Sequence, residues 1–332
     1  GFGLKYGVTS ALTADVTVTP DFSQVEADAG VLDVNERFAI FFSEKRPFFL
    51  EGADIFSTPL NLVYTRRIVD PLYGVKLTGK VGKTAVGILN AADRSAAHGM
   101  RGIPNPMNPY FERDAQFVVA RARHDFSDKL SLGVLGTSRS HEDAFNRVAA
   151  FDGRWTFRGK WTLSGQTVHT WSADPDLSGV IAGLDSATAI NVPGRVRALD
   201  GSRREGFAHR ANIAYSSRVF SWNTNFEDVT RDFQTDAGFV SRPGTFEVFH
   251  WFQGRKYGKK GGWYESIESR LGVQQLYDHG EQGVTGRMTD FSARPELVLH
   301  MAGSTAVAAG FNRLSTWYDG VSFEPRWRQF AW

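Results

Sequence analysis

The sequence predicts an all-β fold, namely an antiparallel transmembrane β-barrel of roughly 16 strands with one inward-folded, plug-like segment. Three observations lead to this prediction: apolar and polar residues alternate, the alternating runs are long, and the connections between them differ regularly in length. No run of about 20 apolar residues is present, which excludes an ordinary membrane-spanning helix. A barrel strand needs lipid-facing side chains only at every second position, so the modest overall hydropathy is compatible with this fold.

The alternating runs have one apolar and one polar face, because successive side chains of a strand point to opposite sides. The apolar face of the first run consists of Leu12, Ala14, Val16 and Val18. A later run has Phe151, Trp155 and Phe157 on one face and Asp152, Arg154 and Arg158 on the other. Many runs reach ten residues, near the length of about 9–11 that a tilted strand needs to cross a bilayer. We therefore expect the apolar faces to contact lipid and the polar faces to line a water-filled lumen.

Composition restricts the kinds of site that the chain can form. It has 332 residues and no cysteine, so a disulfide framework and a thiolate metal site are excluded. The net charge is +2 although 22% of the residues are charged, so we expect no nucleic-acid partner. The histidines are scattered without an i, i+4 pair, and we expect neither a metal nor another cofactor. The chain begins Gly1-Phe2-Gly3, without an initiator Met or a signal segment, and we interpret it as a fragment.

The predicted connections alternate in length, as periplasmic turns and outer loops do in a barrel. Long connections are expected over residues 92–113, 138–146, 172–206 and 231–245. A tight join is expected at Asp70-Pro71, and Tyr64, Arg66 and Arg67 are expected on the strand before it. With these assignments the strand count has the wrong parity, unless residues 19–59 add a strand at 38–42 or carry the chain across the barrel.

Residues 19–56 carry paired charges and aromatic residues without a clear strand pattern. The distinctive motifs are PDFSQVEAD at 20–28, Phe41-Phe42, EKRPFFLEG at 44–52, YTRRI at 64–68 and DAGFVSR at 236–242. These residues resemble an uncharacterised outer-membrane β-barrel domain of Gram-negative bacteria that commonly follows a carbohydrate-binding domain of the family-nine type. The resemblance implies a location in the bacterial outer membrane, carbohydrate as a candidate ligand, and an upstream carbohydrate-binding domain that is missing from this chain. We expect residues 1–332 to be one barrel domain, a fragment, with 20–56 as its lumenal, plug-like segment.

Two sets of side chains are candidates for a functional site. The charged set would form a network in the lumen and consists of Asp21, Glu26, Asp28, Glu44, Lys45, Arg46, Glu51 and Arg66. The aromatic set would pack the plug against the barrel wall and consists of Phe41, Phe48 and Phe49. The charges could line a solute path, or they could pair with opposite charges of the lumenal strands and hold the segment against the polar wall, because an unpaired buried charge is destabilising.

The predicted function is a porin-like barrel that passes or retains a polar solute or polymer, with outer-membrane lipid as its partner. An alternative from another class is an envelope glycan hydrolase that uses Asp21, Glu26, Glu44 or Glu51 as acid and base. Free carboxylates about 5 to 9.5 Å apart would favour the hydrolase, and carboxylates bound to Arg or Lys would disfavour it. A third alternative is a structural scaffold for the missing upstream domain.

Overall fold

The computed structural model describes residues 1–20, 41–94, 113–176, 178, 200–279, 285–318 and 321–331, apart from the side chains of 285, 317, 318 and 321–331. These residues form fifteen β-strands. The strands are β1 (Phe2–Thr9), β2 (Leu12–Val18), β3 (Pro71–Val81), β4 (Thr84–Asp93), β5 (Ala115–Ser127), β6 (Leu130–His141), β7 (Ala144–Phe157), β8 (Trp161–Ala173), β9 (Arg203–Ser216), β10 (Phe220–Val229), β11 (Thr245–Tyr257), β12 (Tyr264–His279), β13 (Thr285–Met301), β14 (Thr305–Tyr318) and β15 (Val321–Ala331).

The strands form a single antiparallel sheet in which each strand pairs with its neighbours in chain order, from β1 to β15. This arrangement confirms the predicted all-β, antiparallel class, with fifteen strands in the described part of the chain where roughly 16 were expected. The helical elements are the helix α1 (Pro47–Leu50) and two 3-10 turns, Ala53–Phe56 and Thr65–Arg67. None of the helices among the described residues is long and apolar enough to span a membrane.

The connection between β2 and β3 corrects two predictions. Val18 at the end of β2 lies opposite Tyr73 near the start of β3, so the chain returns to the sheet at the end where it left. The expected crossing to the other end is therefore wrong. Its cause is the assignment of residues 64–67 to a strand, since Thr65–Arg67 is a 3-10 turn and Asp70-Pro71 is not a join between two strands.

Among the other connections, the long ones after β8 and β10 are confirmed, since β9 begins at Arg203 and β11 at Thr245. The long connection predicted over residues 138–146 is wrong. β6 continues to His141 and β7 starts at Ala144, so only Glu142 and Asp143 form the turn. Glu142 and Asp143 are charged, whereas the residues on either side of them keep the alternation of strands.

Contacts divide the chain into two compact units. The first unit comprises Gly1–Asp152, Thr167–Phe207 and Asp232–Pro243, and the second comprises Gly153–Gln166, Ala208–Arg231 and Gly244–Trp332. An apolar cluster in the first unit joins strand residues to residues of the β2–β3 connection: Phe49, Phe56, Ile68, Leu89, Ala91, Ala115, Phe117, Val119 and Ala237.

The strands of the first unit expose apolar side chains and bury charged ones. On β3 the side chain of Val75 is 42% exposed while the adjacent Lys76 is 2% exposed. On β7 the exposed fraction is 48% for Phe151 and 8% for Asp152, whose carboxylate accepts a hydrogen bond of 2.9 Å from the buried Arg121. This order is the reverse of that in a water-soluble sheet, in which the buried face is the apolar one.

The second unit has the same inversion. Leu297 on β13 is 54% exposed and Leu271 on β12 is 36% exposed. Glu268, three residues before Leu271, is 2% exposed and lies on the opposite face of β12. Trp155 is exposed as well, as the predicted lipid-facing position requires, whereas Arg154 beside it is also exposed rather than buried. Alternation in the sequence therefore predicts correctly which side chains are exposed along the strands, but not near every strand end.

Candidate functional site

The described part of the β2–β3 connection, residues 41–70, packs against strands of the first unit, to which it belongs. We call it the folded segment. It contributes Phe49, Phe56 and Ile68 to the apolar cluster on β4 and β5. Each of these three side chains is at most 6% exposed. The predicted plug-packing residues Phe48 and Phe49 contact each other edge to face, with 5.0 Å between their ring centroids. Phe41 lies elsewhere, next to Tyr64.

Two strand glycines make room for the aromatic rings of the folded segment. A Cβ atom on Gly74 of β3 would lie 2.7 Å from Cε1 of Phe48, and one on Gly87 of β4 would lie 2.8 Å from Cε1 of Phe56. Real Cβ atoms do not approach so closely, so a larger residue at either position would displace the ring. The rings thus pack directly on the backbone of the sheet.

A buried lysine of the sheet binds the end of helix α1. The ammonium group of Lys76 donates hydrogen bonds to the carbonyl oxygens of Phe48 and, at 2.7 Å, of Glu51. Its Nζ also lies 3.6 Å from the carboxylate of Asp15 on β2 and 4.8 Å from the centroid of the Phe48 ring. The last carbonyl groups of a helix lack partners within the helix, and a cation there satisfies them.

Arg46 closes the folded segment on itself. Its guanidinium donates to both carboxylate oxygens of Glu44, at 2.9 and 2.8 Å, and to the carbonyl oxygens of Thr65 at 2.8 Å and Ile68 at 2.6 Å. It also lies over the ring of Phe49, 4.3 Å from the centroid. Arg46 is only 8% exposed, so this network holds the start of α1 against the turn that precedes β3.

Glu44 is the acceptor at the centre of this network. The backbone N–H groups of Lys45 and Arg46 donate to Oε1, and the hydroxyl of Thr65 donates to Oε2 at 2.6 Å. Burial acts to raise the pKa of Glu44, but the hydrogen bonds from Arg46 and Thr65 and the charge of Arg46 outweigh it and lower the pKa to about 2. Glu44 is therefore a structural carboxylate that stays ionised at neutral pH.

Glu51 lies at the exposed edge of the folded segment. Its carboxylate is 2.5 Å from Nζ of Lys5 on β1, and both side chains are about half exposed. The hydrogen bond from Lys5 holds the pKa of Glu51 below its usual range. An ion pair this exposed adds little to stability, because water screens it.

The beginning of the folded segment packs against its end. The hydroxyl of Tyr64 donates to the carbonyl oxygen of Phe42 at 2.9 Å and accepts a hydrogen bond from the N–H of Phe42 at 3.1 Å. Arg66 donates to the carbonyl oxygen of Ser43 at 3.3 Å. The ring of Phe41 lies 5.0 Å from that of Tyr64.

Part of the connection between β10 and β11, Ala237–Phe239, holds the folded segment in place, and we call it the clamp. The N–H of Tyr64 donates to the carbonyl oxygen of Ala237 at 2.7 Å, and the N–H of Phe239 donates to that of Asn61 at 2.8 Å. Arg67 donates to the carbonyl oxygen of Gly238 at 3.2 Å. A Cβ atom on Gly238 would lie 2.6 Å from the carbonyl oxygen of Asn61, so the close approach requires glycine here. Two of the sequence motifs, at 64–68 and 236–242, thus meet in space.

Strand side chains fix the clamp in turn. Asn146 of β7 accepts a hydrogen bond from the N–H of Asp236 at 2.8 Å and donates to the carbonyl oxygen of Gln234 at 2.9 Å. Arg139 of β6 lies 3.3 Å from the carboxylate of Asp236. The clamp is therefore tied to the sheet of the first unit through side chains that are themselves buried or half-buried.

The second unit carries its own charged cluster. Glu268 of β12 accepts hydrogen bonds from Arg270 at 2.7 Å and Gln253 at 3.0 Å, and it also pairs with Arg255 of β11. Arg270 extends the cluster to Glu296 of β13, at 2.9 Å. Every carboxylate of this cluster faces a guanidinium group. For Glu268, which is 2% exposed, such a partner is needed because an unpaired buried charge is destabilising.

Part of these contacts is predictable from the sequence. The candidate residues Glu44, Arg46, Glu51 and Arg66 lie in the folded segment and bind through their side chains, and Lys45 beside them contributes a backbone N–H. Asp21, Glu26 and Asp28 lie outside the described residues. The sequence pattern did not identify Lys76 or Glu268. Lys76 stands between Val75 and Leu77, and a charged residue between two apolar ones on an alternating strand is a signal that could have identified it, whereas Glu268 precedes Ser269 and lacks that signal. In the described part of the chain no three His, Asp or Glu residues are grouped so that they could hold a metal ion.

Comparison with solved structures gives distant similarities. OccK11 (OpdR) of Pseudomonas aeruginosa is 9% identical over 82% of this chain and 74% of its own, with a TM-score of 0.39. OccAB1 of Acinetobacter baumannii is 12% identical over 97% of this chain and 73% of its own, with a TM-score of 0.45. BamA of Haemophilus ducreyi lacking POTRA domains 1–3 is 10% identical over 78% of this chain and 63% of its own, with a TM-score of 0.35.

Comparison of sequences adds one similarity. None of the curated proteins matches this chain. Residues 1–87 match the model of a family described as a domain of unknown function, DUF5916. The matched region ends on β4, and it includes the folded segment with the glycine, lysine and arginine residues that hold it to the sheet.

Proposed function

We propose that this chain forms an outer-membrane β-barrel that passes or retains a polar solute, with carbohydrate as the finer candidate. The observation that carries the proposal is the inverted distribution of side chains on the strands. Val75, Phe151 and Leu297 are exposed, whereas Lys76, Asp152 and Glu268 are buried. Water would destabilise such a sheet, but a bilayer on the apolar side and a hydrated lumen on the charged side suit it.

The pairing of backbone groups in the sheet supports the same proposal. Hydrocarbon tolerates strands only when their N–H and C=O groups are paired, and closure into a barrel achieves this for the first and last strands as well. Most of the strands have 10 to 17 residues, enough to cross a bilayer at a tilt and to extend beyond it. Outer-membrane lipid is accordingly the first partner that we propose.

The folded segment then acts as a constriction on the charged side of the sheet. It is held by Lys76, by the glycine positions under Phe48 and Phe56, and by the clamp at Ala237–Phe239. These contacts are numerous and mostly buried, so the segment is a fixed part of the wall rather than a loose loop. We propose that it narrows the path of the solute.

The arrangement of the carboxylates disfavours the glycan hydrolase. Of its four candidate residues, Glu44 and Glu51 are described, and each is bound to a cation. A general acid needs a raised pKa, whereas the pKa values of both residues are lowered. An upstream carbohydrate-binding domain remains part of the proposal, because it would deliver glycans to the barrel.

Site-directed spin labelling tests the membrane assignment. The chain has no cysteine, so single cysteines at Phe226 and Glu227 of β10 give labels on adjacent residues of opposite faces. In vesicles the label at 226 should be relaxed by oxygen, which partitions into lipid, and the label at 227 by a water-soluble nickel chelate. Equal responses at both positions would overturn the bilayer assignment.

Conductance tests the role of the folded segment. Deleting residues 43–54 should raise single-channel conductance in planar bilayers while circular dichroism keeps its β-sheet spectrum. The matched control is Lys5→Gln, which removes only an exposed contact of the segment. Unchanged conductance of a folded deletion variant would show that the segment is no constriction.

A further inference from the structure

Two aromatic residues lie on the charged face of the second unit. Phe249 and Trp251 alternate on β11 with residues of the other face and share their side with Gln253, which binds Glu268. Both rings cover Gly272 of β12, since a Cβ atom there would lie 3.4 Å from Cε3 of Trp251 and 3.8 Å from Cε2 of Phe249. We call this pair of half-buried rings the aromatic platform.

Amide side chains flank the aromatic platform. On the β10 side, Asn225 lies opposite Phe249 and Asn223 opposite Trp251, and Asn225 donates to Asn223 at 2.6 Å. On the β12 side, Gln274 lies opposite Phe249 and donates to Glu247 at 3.0 Å. The amide groups are therefore held at the level of the rings, with donors and acceptors on both sides of them.

Ion pairs lie at both ends of the aromatic platform in the direction of the strands. Glu268, Arg270 and Glu296 lie toward one end, and Glu227 lies toward the other, 3.0 Å from Arg210. Each of these three carboxylates is bound to a guanidinium group. A fourth, Glu247, lies opposite Glu227 and is matched in number by Arg294, which lies opposite Gly272. The surroundings are therefore rich in hydrogen-bonding groups, and their charges are balanced. Balanced charge favours an uncharged polar ligand over an ion.

We propose that the aromatic platform binds a pyranose ring of a neutral oligosaccharide, an inference that rests on the proposed function and names its substrate class. One face of a pyranose carries C–H bonds that pack on an aromatic ring, while its hydroxyl groups point outward from the ring edge. The platform offers apolar rings in the middle and amides and carboxylates around them, in the same order. A wholly apolar ligand would leave the remaining donors and acceptors of these polar groups without partners, which is unfavourable.

The test is binding of neutral hexasaccharides to the full chain in detergent micelles. The probes are maltohexaose, cellohexaose and the fully N-acetylated chitohexaose, and binding is followed by tryptophan fluorescence and by saturation-transfer NMR. At least one probe should bind the unaltered protein, and Trp251→Ala should weaken its binding about tenfold, as expected for the loss of an aromatic contact. Phe252→Ala is the matched control, since Phe252 follows Trp251 on the opposite face, and its binding should be unchanged.

The variant Gln274→Ala provides a second route if Trp251→Ala fails to fold, and it should weaken binding several-fold because it removes a flanking amide. Absence of binding by all three probes, or equal binding by the Trp251 and Phe252 variants, would overturn the inference. Conductance separates the two proposals. A protein that conducts in bilayers but binds no hexasaccharide refutes only the aromatic platform. One that binds through Trp251 but never inserts refutes only the membrane function.

Discussion

Aromatic side chains occupy the charged face of the sheet in both units, but their surroundings differ. In the first unit Phe117 is 2% exposed, because it belongs to a cluster with Phe49 and Ile68 of the folded segment. In the second unit Phe249 and Trp251 stay half-buried beside amides and ion pairs. The same strand architecture thus serves as a docking face for the chain's own segment in one unit and as an accessible polar face in the other.

Glycine illustrates the difference. Gly74 and Gly87 lie under rings that come from the folded segment, at distances that only glycine allows. Gly272 lies under Trp251 of the neighbouring strand at an ordinary contact distance of 3.4 Å. The first unit therefore depends on glycine to hold its segment, whereas the second depends on the balance of its charges.

The largest expected effect tests that balance. Replacing Glu268 by Gln removes the buried carboxylate that Arg255 and Arg270 share, although Arg270 keeps its bond to Glu296. We expect the free energy of unfolding to fall by about 3 kcal/mol. Glu227→Gln, at a pair whose side chains are about one-third exposed, should lower it by less than about 1 kcal/mol. Equilibrium unfolding in urea from lipid vesicles measures both. Equal losses of unfolding free energy in the two variants would contradict the claim that the buried Glu268 cluster contributes more to stability than an exposed ion pair.

The next effect tests the docking face. Gly87→Leu should displace Phe56 and destabilise the docked segment by about 1–3 kcal/mol through overpacking. Limited proteolysis should then cleave within residues 41–70 sooner than in the unaltered protein. Gly136→Leu on β6 is the control, because the nearest atom to a Cβ there is 3.8 Å away. Similar protease resistance of the two variants would show that the glycines are not required for docking.

A third effect is confined to acidic solution. The pKa of Glu44 is lowered from 4.5 to about 2 in the folded chain, so its contribution to stability is complete above pH 4.5 and is lost as the pH falls toward 2. Protease sensitivity of the folded segment should rise across this window. In Glu44→Gln the step should be absent, and the segment should already be weakened at neutral pH. An identical pH profile in both proteins would exclude Glu44 as the titrating group.

The smallest effect is expected at the exposed edge of the same segment. Lys5→Gln removes the partner of Glu51 without disturbing Lys76, which holds the carbonyl oxygen of the same residue. We expect no measurable change in protease resistance or unfolding, because both side chains are about half exposed. A clear loss would mean that surface pairs contribute to docking, and it would weaken the contrast between the two units.

The sequence predicted the strands because their alternation is a local property that survives in the fold. It also singled out Glu44, Arg46, Phe48 and Phe49, whose unusual density of charge and aromatic groups marks a packed segment. It did not predict that Arg46 would bind Glu44 and the carbonyl oxygens of Thr65 and Ile68 rather than a strand residue. Nor could it place Lys76 under α1, because which strand side chain meets which part of a folded segment depends on register and docking, which alternation does not encode.

The clamp at Ala237–Phe239 joins parts of the chain that lie far apart in sequence. Its hydrogen bond from Arg67 to Gly238 joins residues 171 positions apart, whereas the hairpins on either side of the folded segment, β1–β2 and β3–β4, pair residues that are close in the chain. Contacts of such long range form late, because the loop that they close must lose its entropy first. We therefore expect the folded segment to dock fully only after the ten strands that precede the clamp have been synthesised. A chain that ends before residue 232 lacks the clamp. In such a chain, proteases should cleave the folded segment sooner than they do in the longer chain.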